Sequence, residues 1–158
     1  MTQEMTAIKT AIIERFGTPC AVIDLDLVAR NIVTAQERCD AVGLANRPHI
    51  KTHKSPVLAN LQIKAGARGI TCQKLGEAEV MANAGITDII IATNLLGAAR
   101  SGRLAKLQRR LPLKVCADNT VSLSAYSQAA AQAGRPMDVL IECAVSYTHL
   151  TLPTRLSV

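Results

Sequence analysis

The stretch Arg47-Pro48-His49-Ile50-Lys51-Thr52-His53 sets a lysine between two histidines, just after a proline and just before a segment that reads as a helix. The residue before Pro48 is pushed towards extended backbone. At the two-residue period of a strand, Arg47, His49, Lys51 and His53 share one face, and Pro48, Ile50 and Thr52 share the other. Cationic neighbours favour the uncharged amine on Lys51, the form that attacks a carbonyl. They would also attract an anion such as phosphate. The same spacing suits a solvated basic edge strand, and the motif alone leaves both readings open.

Short apolar runs alternate with amphipathic ones along the chain, and these are the elements that must position the lysine. Cys20 to Asp26 reads as a strand, followed by a helix from Leu27 to Val42 ended by Gly43. Arg47 to His53 is the next strand, and Ser55-Pro56 occupies the N-cap and first-turn positions of a helix running to Gly66. Further strands are expected at Gly69 to Gln73, Asp88 to Thr93, Leu113 to Asp118 and Met137 to Cys143. The helices between them cover Gly76 to Ala84, Ala98 to Leu111 and Ser122 to Ala133. This alternation predicts an α/β fold with parallel strands. Polar residues gather where strands meet helices: Asp24 and Asp26, Lys51 and His53, Gln73 and Lys74, Thr93 and Asn94, Asp118 and Asn119, and Glu142. In a (β/α)₈ barrel that end is the active-site face. A doubly wound sheet also binds ligands there, but the first turn, Asp24-Leu25-Asp26-Leu27, lacks a glycine-rich phosphate fingerprint. The expectation is an incomplete barrel of about six strand-helix units.

An apolar fraction of 49% suffices for a core, and aliphatics and alanine supply nearly all of it, as suits strands buried on both faces. The formal charge of +6 is dispersed and has no interleaved aromatics, which argues against a nucleic-acid partner. Five cysteines, an odd number without a C-x-x-C pair, read as buried free thiols in a reducing compartment. No run approaches a membrane span, and Met1 to Gly17 lacks the apolar core of a signal peptide. A cytoplasmic protein is therefore expected.

The pattern breaks at Val145. The run Val145 to Thr154 resembles a translated transposase sequencing adaptor, so residues 145–158 are expected not to be native. Residues 1–17 read as an N-terminal helical extension and 18–144 as the barrel portion.

Taken together, Thr18-Pro19, the run Ala21 to Asp26, Asn31, Arg47 to Lys54 and Cys72-Gln73-Lys74-Leu75-Gly76-Glu77-Ala78-Glu79 resemble the D-threonine aldolase and D-serine dehydratase-like family. This is a branch of the alanine-racemase-type, fold type III pyridoxal phosphate enzymes. The resemblance implies that Lys51 is the Schiff-base lysine. It places Gln73 beside the cofactor, while His49 is a cofactor-side candidate from strand period more than from the family. It also implies a D-amino acid substrate, a homodimer, and either cleavage of a D-3-hydroxy amino acid to glycine and an aldehyde or loss of its β-hydroxyl. A housekeeping carrier of pyridoxal phosphate, without turnover, is a further reading.

Strands seven and eight, whose loops hold the cofactor phosphate in the family, have no counterpart here. Nor does the C-terminal β-domain with its ligands for a divalent metal. The metal is therefore expected only in a full-length parent, and this chain is expected to be inactive by itself. His49 and His53 are not assigned as metal ligands, because they flank Lys51 on a strand without an evident third ligand. Glu77 and Glu79 read as a solvated first helical turn. Asp118-Asn119 either faces the cofactor or caps the following helix.

Overall fold

The computed structural model describes residues 3–142, so the stretch 145–158 lies outside the described residues. Six helices and four strands follow one another as α1 (Gln3–Phe16), α2 (Leu25–Asp40), α3 (Pro56–Lys64), β1 (Ile70–Cys72), α4 (Leu75–Asn83), β2 (Ile89–Ile91), α5 (Ala98–Arg110), β3 (Leu113–Ala117), α6 (Thr120–Ala133) and β4 (Asp138–Ile141). The helix ends follow local chemistry. Ser55 caps α3 by accepting the Leu58 N–H, and Pro56 stands in the first turn where its missing N–H costs nothing. Gly134 ends α6 at φ +70°, a conformation that a Cβ would oppose.

The sheet is wholly parallel, in the order β1-β2-β3-β4. Strand order therefore follows chain order without the reversal that defines a doubly wound sheet. Successive helices pack beside one another, α4 on α5 and α5 on α6. This is one arc of a barrel, with helices outside and an open inner face. Strand residues alternate accordingly. Ile70, Cys72, Ile89, Ile91, Leu113, Val115 and Ala117 are buried under Ala78, Met81, Leu104, Leu107, Tyr126 and Ala129. Thr71, Ile90, Lys114 and Cys116 point to the open side and stay half-buried.

Two expected strands do not form. Residues 20–24 pair with no strand among the described residues, and Val22 and Ile23 are exposed. Asp24 accepts the Leu27 N–H at 2.9 Å and starts α2 at Leu25, which cuts the extended run short. A lone extended segment leaves its N–H and C=O groups to water, and its apolar residues gain nothing by alternation. The stretch Arg47 to His53 contributes a single parallel bridge, His49 to Thr71. After it the chain turns, because the Lys54 N–H closes on the Ile50 carbonyl at 2.8 Å. The six expected strands are thus four plus a bridge. The buried-thiol reading also needs correcting: among the described cysteines Cys72 alone is buried, Cys39 and Cys116 are intermediate, and Cys20 is exposed. Cys20 sits on the unpaired segment, so no sheet covers it.

Candidate functional site

Register places the chemistry. His49 opposes Thr71, Thr71 opposes Ile90, Ile90 opposes Lys114 and Lys114 opposes Asp138, so these residues form one row across the open face. Gln73, two residues past Thr71, lies on the same face at the carboxyl end of β1. Lys51 does not continue the row as a strand residue. It is exposed on the turn that follows Ile50, whose own side chain is fully buried. The Lys51 N–H donates to His49 Nδ1 at 3.3 Å. With Nδ1 accepting, the ring proton belongs on Nε2, which donates to Gln73 Oε1 at 3.2 Å. His49 therefore links the backbone N–H of Lys51 to the Gln73 side chain. His53 turns away from this chain of contacts. Its Nδ1 accepts the Ser55 N–H at 3.0 Å, and its Nε2 is buried without a protein partner.

Gln73 is held through its backbone as well. The Thr93 hydroxyl donates to its carbonyl at 2.6 Å, and its N–H donates to Glu77 Oε2 at 2.8 Å. Glu77 is the N3 residue of α4 and also accepts the Lys74 N–H, which is half of a capping box. Its side chain is 9% exposed, which corrects the reading of a solvated turn. Glu79 is also engaged: Arg103 meets it with two nitrogens, and this hydrogen bonding holds its carboxyl below the usual carboxylate range. Sequence alone does not single out Glu77 as a site residue. The detectable signal is a glutamate three residues past Lys74, obscured because lysine is not a capping type.

A cavity of about 580 Å³ opens beside this cluster, lined by Lys54, Gln73, Glu77, Asn94, Arg100 and Arg103 among others. Lys51 and His49 do not line it, so it flanks the lysine rather than surrounding it. Asn119 caps α6 by accepting the Ser122 N–H at 2.9 Å, while Asp118 accepts from Asn94 Nδ2 at 2.7 Å. The Asp118-Asn119 pair thus divides between capping and bracing the neighbouring loop. Tyr126 ties the same loops together from below: its hydroxyl accepts the Leu95 N–H and donates to the Cys116 carbonyl, both at 3.0 Å. Burial pushes its phenol up. Burial, and then the negative charge of Glu77, pushes the Cys72 thiol up to about 12, so Cys72 is not a nucleophile.

A lysine turn at the carboxyl ends of parallel strands, coupled to Gln73, meets a matching family profile: "Alanine racemase, N-terminal domain", over residues 23–150. The chain belongs to this family. Among curated relatives it is 43% identical to the D-threonine aldolase of Arthrobacter sp. over 145 residues, covering 87% of this chain and 38% of the relative. The D-threo-3-hydroxyaspartate dehydratase of Delftia sp. (strain HT23) is 41% identical over 125 residues, covering 79% and 33%. Among solved structures, the D-threonine aldolase from Filomicrobium marinum superposes with a TM-score of 0.79 at 37% identity, covering 84% of this chain and 36% of that one. The chain therefore spans about a third of the length of these alanine-racemase-type relatives. The likeness accounts for the sheet order, since an arc of a barrel is what the first part of such a fold builds.

The family's group is pyridoxal phosphate, and the residues present fit its aldehyde side. Lys51 is exposed, so its amine is open to a carbonyl group. Among the described residues no group of three or more His, Cys, Asp or Glu side chains is placed to hold a metal ion. None of the described helices is long and apolar enough to cross a membrane.

Proposed function

We propose that this chain forms the lysine-bearing part of a pyridoxal-phosphate-dependent lyase that acts on D-3-hydroxy amino acids, cleaving them to glycine and an aldehyde. The observation that carries the reading is the run of contacts from the Lys51 turn through His49 to Gln73 at the carboxyl ends of parallel strands. Lys51 is the residue that holds the cofactor covalently, and Gln73 and His49 face it. When bound, pyridoxal phosphate supplies an electron sink for the pair released at Cα. The chain's own contribution is orientation. Accepting the Lys51 N–H at His49 Nδ1 fixes the turn, and donating from Nε2 holds the Gln73 side chain by its Oε1. Thr93 and Glu77 hold the Gln73 backbone from either side, so neither partner of the lysine needs to reorganise on binding.

Dehydration is a second reading, favoured by the 41% identity to a D-threo-3-hydroxyaspartate dehydratase. Both reactions begin with the same attachment at Lys51. A cytoplasmic homodimer with residues 18–144 as the partial barrel completes the reading; any divalent metal belongs to parts of the enzyme beyond this cluster.

Incubation with pyridoxal phosphate, borohydride reduction and peptide mass mapping tests it. Lys51 is expected to carry the reduced cofactor, and Lys51→Ala to lose that label. Equal labelling of other lysines, or unchanged total labelling in the variant, overturns the assignment. The 158-residue chain is expected to release no glycine from D-threonine by itself.

A further inference from the structure

Lys54 is the one non-glycine residue with positive φ among those described, at +50°. A side chain in the left-handed region is disfavoured and persists where neighbouring contacts impose it. Two contacts do so here. The Lys54 N–H closes the turn onto the Ile50 carbonyl, and Lys54 Nζ lies 3.6 Å from Glu77 Oε1. The other oxygen of that carboxylate takes the Gln73 and Lys74 N–H groups. The contacts form a closed ring: Lys51 to His49, His49 to Gln73, Gln73 to Glu77, Glu77 to Lys54, and Lys54 back to the turn that carries Lys51.

We propose that Glu77 is a positioning residue that sets the place of Lys51, by clamping the end of its turn through Lys54 while fixing Gln73 through the backbone. Capping of α4 alone would not require a negative charge, since a glutamine oxygen accepts the same N–H groups. The ion pair to Lys54 does require it. Glu77 is nearly buried whereas Lys54 is 58% exposed, so the carboxylate is the fixed member and the lysine the one that is held. The inference rests on the reading of Lys51 as the attachment site, and the two fail separately.

The experiment compares the wild-type chain with Glu77→Gln, Lys54→Met and the double variant by amide hydrogen exchange over residues 50–54 and by borohydride-trapped attachment of pyridoxal phosphate at Lys51. Glu77→Gln keeps the cap of α4 and removes the charge. Each single variant is expected to speed exchange in the turn about three- to fivefold and to lower the attachment rate at Lys51 similarly. The urea midpoint should stay close to wild type. The double variant should be no worse than either single one, because both remove the same contact. Unchanged exchange in Glu77→Gln, or additive losses in the double variant, overturns the clamp. Faster exchange in the variants, with no label on Lys51 even in the wild type, supports the clamp and refutes the role given to Lys51.

Discussion

Replacing Asp88 with asparagine removes the carboxylate that joins three neighbouring segments at the amino ends of the sheet. Arg47 Nη1 and Nη2 donate to its two oxygens at 3.0 and 2.8 Å, and Lys114 Nζ donates to Oδ1 at 2.7 Å. Arg47 leads into the His49 bridge, Asp88 leads into β2, and Lys114 lies in β3. Hydrogen bonding from Arg47, opposed by partial burial and reinforced by Lys114, holds the carboxyl at about 2 against an ordinary 3.8. That difference corresponds to roughly 2 kcal/mol. The side chain is 29% exposed, so screening reduces the expected contribution to about 1–2 kcal/mol. Because the folded-state value is depressed, the contribution is complete above the unfolded carboxylate's ordinary range and is lost as pH falls towards 2. Urea unfolding of wild type and Asp88→Asn, from pH 7 down to pH 2, should show the largest gap at neutral pH and convergence at the acid end. Equal stability at pH 7, or a gap that does not shrink between pH 5 and pH 2, would refute the reasoning.

Gly69 lies in the path of the same cluster: an added Cβ would stand 2.2 Å from Arg47 Nη1 and 2.5 Å from the Asp88 carbonyl oxygen. Gly69→Ala is therefore expected to cost about 1–3 kcal/mol and to lower Tm in a thermal melt, and an unchanged Tm would contradict the close approach. Tyr126→Phe removes the acceptor of a buried N–H and the donor to a carbonyl. A loss of about 1–3 kcal/mol is expected in urea unfolding, with faster hydrogen exchange at Leu95; protection unchanged at Leu95 would count against that bond.

Features governed by neighbours in the chain are legible in the sequence itself. Ser55-Pro56 starts α3, Gly134 stops α6, and the Ile89-Ile90-Ile91 run forms β2, as local propensity predicts. The triad of Lys51, His49 and Gln73 is legible too, although the residues meet through a hydrogen-bond chain rather than a shared strand face. The stretches 20–26 and 47–53 carry strand signals because alternation and an X-Pro step describe what a segment can do alone. Whether it becomes a strand depends on a partner. One segment has none among the described residues, and the other keeps a single bridge before the turn at Ile50.

Composition and spacing by themselves determined the α/β class, the parallel strands and the gathering of polar residues at their carboxyl ends, since each depends on periodicity, caps and local backbone preference, whereas spacing left Lys51 open between a chemical and a solvated lysine. Tertiary structure alone decided that Glu77 is nearly buried, that Lys54 is held at positive φ, and that Asp88 joins Arg47, 41 residues away, to Lys114. These depend on which turns meet at the end of a sheet. A carboxylate in the first turn of a helix reads the same in sequence whether water or another loop lies over it. Only the approach of the Lys51 turn to α4 distinguishes the two.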